Sequence, residues 1–201
     1  MNPIKNKLPI ILASGSEVRK MLLEKAYIDF SVIVADIDED KIRDENSDLE
    51  LPQMALLLAK EKGKKVAKEN KDSLIIAADQ ICQLGDEVLC KPGNYENAVK
   101  QLKSLSGKKH YQHSAVCVLK GEEVIWEHIE TVELTLRNLT ESEINAYVNY
   151  DKPYASCGSY KIEYLGKHLF SEVKGDHDAI MGLPIFALLK FLHENEFIYL
   201  S

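Results

Sequence analysis

Ser14, Ser16, Arg19 and Lys20 put two hydroxyls and two cations into one short stretch of this chain, around a glycine. The stretch Leu8-Pro-Ile-Ile-Leu-Ala-Ser-Gly-Ser-Glu-Val-Arg-Lys-Met-Leu-Leu23 reads as an apolar strand, a polar corner and the start of a helix. Hydroxyls and backbone N–H groups at a helix N-terminus can wrap phosphate oxygens. Arg19 offers a planar fork to such a ligand and Lys20 a point charge. Further along, Leu74-Ile-Ile-Ala-Ala-Asp79-Gln80 reads as a buried strand that brings a carboxylate to its C-terminal end, the ligand-facing edge of an open α/β sheet. A carboxylate is a weak base for bulk water, and a bound metal ion that polarises the water lowers the demand on it. Phosphate chemistry assisted by a metal is the reading these two places support.

The elements around them alternate. A strand over about 8–13 precedes a short helix carrying Val18, Met21, Leu22 and Ala26, and Phe30 to Ala35 forms the next strand. The acidic run Asp36-Ile-Asp-Glu-Asp40 reads as a loop with several candidate metal ligands. Leu51, Met54, Ala55, Leu58, Ala59, Lys62 and Val66 mark a helix over 49–67, with Pro52 in its first turn and Lys62 near one edge. Gly85-Asp86 turns between two short strands, and a helix follows from Tyr95 to Leu105. Residues 109–119 and 122–136 form a long hairpin around Lys120-Gly121. Thr140-Glu-Ser-Glu143 is a capping box for a helix ending near Asn149, and Gly182-Leu-Pro184 leads into an apolar helix through His193. These expectations add up to a mixed, strongly twisted central sheet flanked by helices, two lobes around a deep cleft, within one domain spanning 1–201.

Composition narrows the function classes. A formal net charge of -7 argues against a binder of nucleic-acid polymers or anionic membranes, while leaving room for a local basic pocket. No stretch has the apolar length of a membrane span and no signal-peptide core follows Met1 to Lys7, so a cytoplasmic protein is expected. Cys82, Cys90, Cys117 and Cys157 match no zinc spacing and read as free structural thiols. His110 and His113 read as ordinary surface or half-buried residues. G-x-G-x-x-G after the first strand, the Walker motif, H-E-x-x-H and G-x-S-x-G are all absent.

Nine short pieces, in order, resemble the Maf family of nucleoside triphosphate pyrophosphatases. They are Leu12-Ala-Ser-Gly-Ser16 with Arg19, Asp38-Glu39, Leu58-Ala59 with Lys62, Ala78-Asp79, Lys91-Pro92, Leu105-Ser-Gly107, Cys157-Gly-Ser-Tyr160, Lys174-Gly-Asp176 and Gly182-Leu-Pro184. The resemblance implies a protein, often a homodimer, that hydrolyses a nucleoside triphosphate between the α and β phosphates. It implies phosphate contacts at Ser14, Ser16, Arg19, Lys20, Lys62 and Lys91, and Asp79 as the residue that activates water. It also implies a divalent cation, Mg²⁺ or Mn²⁺, held by Asp79 and Glu39, with Asp36, Asp38 and Asp40 as alternatives to Glu39.

The branch resembling 7-methyl-GTP pyrophosphatases fits Asp79-Gln-Ile-Cys82 and Cys157-Gly-Ser-Tyr-Lys-Ile-Glu163 better than the dTTP/UTP branch does. In that resemblance Val18, Gln80 and Glu163 set base specificity. The Glu163 carboxylate can accept from guanine N1–H and the exocyclic amine, donors that uracil and thymine do not pair in this way. The chain departs from the branch at Glu17-Val18, which stands for Pro-Trp, at Lys20 for arginine, at Gly63 for alanine and at Tyr164 for glycine. An exposed Gly63 costs its helix roughly 1 kcal/mol, and Tyr164 either replaces a stacking surface or fills the pocket. The alternatives are a dTTP/UTP or broad modified-nucleotide pyrophosphatase and, in another class, a nucleotide-binding regulatory protein without turnover.

Overall fold

The computed structural model describes residues 2–201. In chain order the first elements are β1 (Ile4–Asn6), β2 (Ile10–Leu12), α1 (Glu17–Lys25), β3 (Ser31–Val32), α2 (Glu39–Glu45), α3 (Leu51–Ala67) and β4 (Leu74–Leu84). Then come β5 (Glu87–Val88), α4 (Tyr95–Leu105), β6 (Lys109–Lys120), β7 (Glu123–Leu136) and α5 (Glu141–Asp151). The chain closes with β8 (Phe170–Lys174), α6 (His177–Ile180), α7 (Ile185–Glu194) and β9 (Ile198–Leu200).

The main sheet is mixed, with strand order β3-β2-β4-β6-β7-β8 and β5 added beside β4. Parallel pairs join β2 to β3 and to β4, whereas β5 joins β4 and β8 joins β7 antiparallel. The expected mixed α/β sheet with flanking helices is therefore present. A separate two-stranded sheet pairs β1 with β9, a pairing that carries no local sequence signal.

The chain divides into two compact units, and β4, β6 and β7 each run from one into the other. The first unit comprises residues up to Gln80, Ser114–Glu130 and Gly182–Ser201. Its strand segment Leu74–Ala78 is buried throughout, as expected for strands covered on both faces. Against it α3 buries Met54, Ala55, Leu58, Ala59 and Val66, the apolar positions of its helical repeat. Gly63 is buried, not exposed, and a Cβ there would lie 2.4 Å from Leu119 Cδ1 and 3.2 Å from Ala77 Cβ. The missing side chain lets the helix approach the sheet, which offsets its poor helix propensity.

The second unit comprises Ile81–His113 and Thr131–Met181. Its core gathers Leu102 and Leu105 from α4, Val132 and Leu134 from β7, and Ile144 and Val148 from α5. The capping box of α5 forms as the sequence predicts, with Glu143 N donating to Thr140 Oγ1 and Thr140 N donating to Glu143 Oε2.

Several sequence expectations need correction. Asp79 is not at a strand end, because pairing of Gln83 and Leu84 with β5 carries β4 five residues past it. Its parallel neighbour β2 does stop early, at the Leu12–Ile76 pair. The strand expected over 30–35 shrinks to Ser31–Val32. The acidic run is not all loop: Asp38 accepts from Lys41 N as N-cap, and Glu39 and Asp40 occupy the first turn of α2, where carboxylates favour the helix dipole. His110 and His113 are both buried. All four cysteines are free, as expected.

Candidate functional site

The polar corner after β2 is held from three directions. Ala13 N donates to Ile76 O at 2.8 Å, tying the corner to β4. Ser16 caps α1, its Oγ accepting from Arg19 N at 3.4 Å. Ser14 Oγ accepts from Ser16 N at 3.3 Å and from Arg19 Nη1 at 3.1 Å.

Arg19 is buried and turned inward. Its Nε donates to Gly182 O and its Nη1 to Ala78 O, both at 2.8 Å. One guanidinium thus joins the Ser14 corner, the backbone next to Asp79 and the segment before α7. At Gly182, φ is +93° and a Cβ would stand 3.2 Å from Arg19 Nε, so glycine supplies both the backbone conformation and the close approach. Lys20 is looser, 4.0 Å from Glu17 and 3.9 Å from Glu24 on the exposed side of α1, and Val18 is half-buried.

Beside this corner lies a three-residue charge cluster. Lys62 Nζ is 2.6 Å from Asp79 Oδ1 and 2.8 Å from Glu39 Oε1. Arg43 Nη2 reaches the other Glu39 oxygen at 3.3 Å, one helical turn on. Burial would raise the Glu39 carboxyl above its usual range, but Lys62 and Arg43 outweigh it and hold the group below that range. Asp79 is 6% exposed, and its Oδ2 is buried with no hydrogen-bond partner. An orphan buried carboxylate oxygen is costly unless something binds it.

The two carboxylates fit a hard divalent cation, which takes oxygen ligands and commonly uses one or two carboxylates plus substrate phosphates. Asp79 and Glu39 would hold it. Among the described residues no group of three or more metal-ligating side chains exists, so phosphate oxygens would have to complete the shell.

Gln80, next along β4, donates from Nε2 to Ser114 Oγ at 3.0 Å, which fixes the orientation of its amide. Lys91 and Glu163 belong to the second unit. Lys91 is exposed ahead of Pro92, and Glu163 is half-buried in the segment between Cys157 and Leu165. That segment is firmly held: Lys161 N donates to Tyr147 Oη, and Tyr160 Oη is engaged by Gln112 Nε2 and His110 Nε2. Gly158 and Ser159 both have positive φ, and the buried Ser159 Oγ donates to Gln101 Oε1 at 2.5 Å. Strain of this kind persists where surrounding structure enforces it. Tyr164 is exposed, with Lys161 Nζ 5.8 Å from its ring centre.

The structure therefore brings Ser14, Ser16, Arg19, Glu39, Lys62, Asp79 and Gln80 into one unit with direct links among most of them. Sequence reasoning misses Arg43, Ser114 and the Gly182 carbonyl. Arg43 could be found from its four-residue spacing to Glu39 once α2 is recognised. A backbone acceptor has no such signal.

The family profile described as Maf-like protein matches residues 9–195. The chain belongs to the Maf family. A "Nucleoside triphosphate pyrophosphatase" of Legionella pneumophila (strain Corby) is 41% identical over 192 residues, covering 96% of each chain. Proteins of the same name from Bradyrhizobium diazoefficiens and Rhodopseudomonas palustris (strain ATCC BAA-98 / CGA009) are 41% and 42% identical; they cover 96% and 93% of this chain, and it covers 97% and 94% of theirs. Among solved structures, a HAM1 protein from Coxiella burnetii is similar at TM-score 0.47 and 15% identity, over 93% of this chain and 99% of that one. In Maf terms, the matched span contains the whole corner, the charge cluster and the Glu163 segment.

Proposed function

We propose that this Maf chain hydrolyses nucleoside triphosphates between the α and β phosphates, giving the monophosphate and pyrophosphate, with 7-methyl-GTP preferred. The observation that carries the reading is the Glu39–Lys62–Asp79 cluster, in which a buried carboxylate keeps one oxygen without a partner. Relatives near 41% identity that are named nucleoside triphosphate pyrophosphatases support the reaction class.

A bound Mg²⁺ or Mn²⁺ would supply charge neutralisation on the triphosphate and a more acidic water. The Asp79 carboxylate accepts the proton as water oxygen bonds to the α phosphorus. The α–β bridging P–O bond breaks and its electron pair leaves with pyrophosphate. Ser14 and Ser16 offer hydroxyls and backbone N–H groups to phosphate oxygens, while Lys20, Lys62 and Lys91 offset the triphosphate charge. Arg19, also a phosphate contact in this reading, holds Ser14 and the Ala78 carbonyl in place, two groups that set where the corner stands against Asp79.

For the base, Glu163 presents a carboxylate to the two neighbouring donors of a guanine edge, and the positive charge of the 7-methylated ring favours it further. Gln80 and Val18 are the other specificity positions. The test is a substrate panel of 7-methyl-GTP, GTP, dTTP, UTP and CTP with Mg²⁺ or Mn²⁺, reading pyrophosphate release. A lead of about tenfold or more in kcat/KM for 7-methyl-GTP is expected. A preference for dTTP and UTP overturns the base assignment, and release of orthophosphate in place of pyrophosphate overturns the bond assignment.

A further inference from the structure

Lys62 occupies the position between two carboxylates that a divalent cation would take. Its Nζ contacts Asp79 Oδ1 at 2.6 Å and Glu39 Oε1 at 2.8 Å, and its side chain is 13% exposed. Lys62 is thus shared between the buried Asp79 and the 40% exposed Glu39, while Arg43 Nη2 pairs with the other Glu39 oxygen. Asp79 Oδ2 remains buried and unpartnered, so the lysine leaves the acceptors of the pair incompletely satisfied. A divalent cation would neutralise both carboxylates and reach that oxygen. An ammonium at contact distance from a divalent cation is repelled by it, most strongly beside the buried Asp79 carboxylate.

The backbone of α3 is in no position to carry the lysine away. The next residue, Gly63, is packed so closely on the sheet that a methyl group would touch Leu119. What can move is the flexible four-carbon stem of Lys62, which changes rotamer at little cost.

We infer that Lys62 is a resident counter-ion that a divalent metal displaces from the Glu39–Asp79 pair, the released ammonium then turning to the substrate phosphates. The phosphate half rests on the pyrophosphatase reading; the competition between lysine and metal does not. Without nucleotide, the lysine keeps two carboxylates close together but weakens metal binding. With a triphosphate present the ammonium gains a new partner, so metal and nucleotide each strengthen binding of the other, as linkage requires. Lys62 is thus a positioning residue for the carboxylates and a switch that couples the two ligands.

The test measures Mn²⁺ affinity of the nucleotide-free protein by electron paramagnetic resonance for wild type, Lys62→Met and Lys62→Arg. Removing the charge in Lys62→Met is expected to tighten Mn²⁺ binding by about tenfold or more, and Lys62→Arg, which keeps the charge, is expected to leave it near wild type. Equal or weaker binding by folded Lys62→Met overturns the inference, as does an absence of Mn²⁺ binding in wild type and Lys62→Met alike. A measurement on the wild-type chain covers a Lys62→Met protein that fails to fold: the ¹⁵N resonance of the Lys62 ammonium, assigned by its loss in Lys62→Arg, is followed during Mg²⁺ titration. It should shift as metal binds; an unchanged resonance at saturating Mg²⁺ overturns the inference. Neither readout uses turnover, so failure of the pyrophosphatase reading would show separately, as no pyrophosphate release.

Discussion

Lys62 Nζ and Asp79 Oδ1 stand 2.6 Å apart, joining the edge of α3 to the middle of β4 across seventeen residues of sequence. The pair draws Glu39 from α2 into the same cluster and leaves the second Asp79 oxygen without a hydrogen-bond partner. The charge cluster and the packing of α3 on β4 thereby lie in one unit of the chain.

Arg19 is the residue whose loss should matter for stability as well as activity. Three buried or half-buried acceptors, Ser14 Oγ, Ala78 O and Gly182 O, depend on it. Arg19→Leu should cost on the order of 3 kcal/mol in urea unfolding, since leaving buried carbonyls unpaired is expensive. A solvated phosphate contact would instead raise KM and leave the unfolding midpoint where it is.

Much of the frame around these contacts is legible in the sequence because its signals are local. The Ser16 cap, the Thr140–Glu143 box, Pro52 in a first turn and the apolar stripe of α3 each lie within a few residues. Residues 74–79 read as a buried strand for the same reason. What sequence hides is what depends on partners: β4 continues because β5 pairs with it, and β1 exists because β9 comes back to it. At the site, the residue types Ser14, Arg19, Lys62 and Asp79 are visible, but the inward turn of Arg19 is not. Its acceptors are main-chain carbonyls, which every residue has.

Gly63→Ala tests how closely α3 approaches the sheet. Alanine gains up to about 1 kcal/mol of helix propensity, yet its Cβ would lie 2.4 Å from Leu119 Cδ1 in a fully buried setting. The crowding should win and destabilise by about 1–2 kcal/mol in chemical denaturation. Adding Leu119→Val should recover part of the loss; strict additivity of the two substitutions would contradict the contact.

Acid should weaken the second unit through its buried histidines. Burial lowers His110 from 6.5 to about 4, and burial lowers His113 as well. The unfolded chain takes up a proton near pH 6.5 that folded His110 refuses until about pH 4, so stability is full above that window and falls as pH drops through it. For His110 the loss should be on the order of 3 kcal/mol. His110→Gln retains a hydrogen-bonding group for Tyr160 and should flatten the dependence of urea midpoint on pH between about 7 and 4. An unaltered dependence in His110→Gln would contradict the assignment.

Glu163 should act on selectivity more than on chemistry. Glu163→Gln replaces one acceptor oxygen by a donor and removes the charge we propose to favour a methylated guanine ring. The kcat/KM advantage of 7-methyl-GTP over UTP should fall by about tenfold or more, while UTP turnover stays within about threefold of wild type. A uniform fall on every substrate would point to a structural role for Glu163.

The most direct measurement is pyrophosphate release from 7-methyl-GTP by wild type and by Asp79→Asn, with Mg²⁺ present and folding verified by circular dichroism. Wild type should release one pyrophosphate per monophosphate formed, and Asp79→Asn should lose about a thousandfold or more in kcat, the scale of a lost general base at a metal-assisted centre. Comparable rates in the two proteins, or no pyrophosphate from folded wild type, would contradict an Asp79-centred pyrophosphatase.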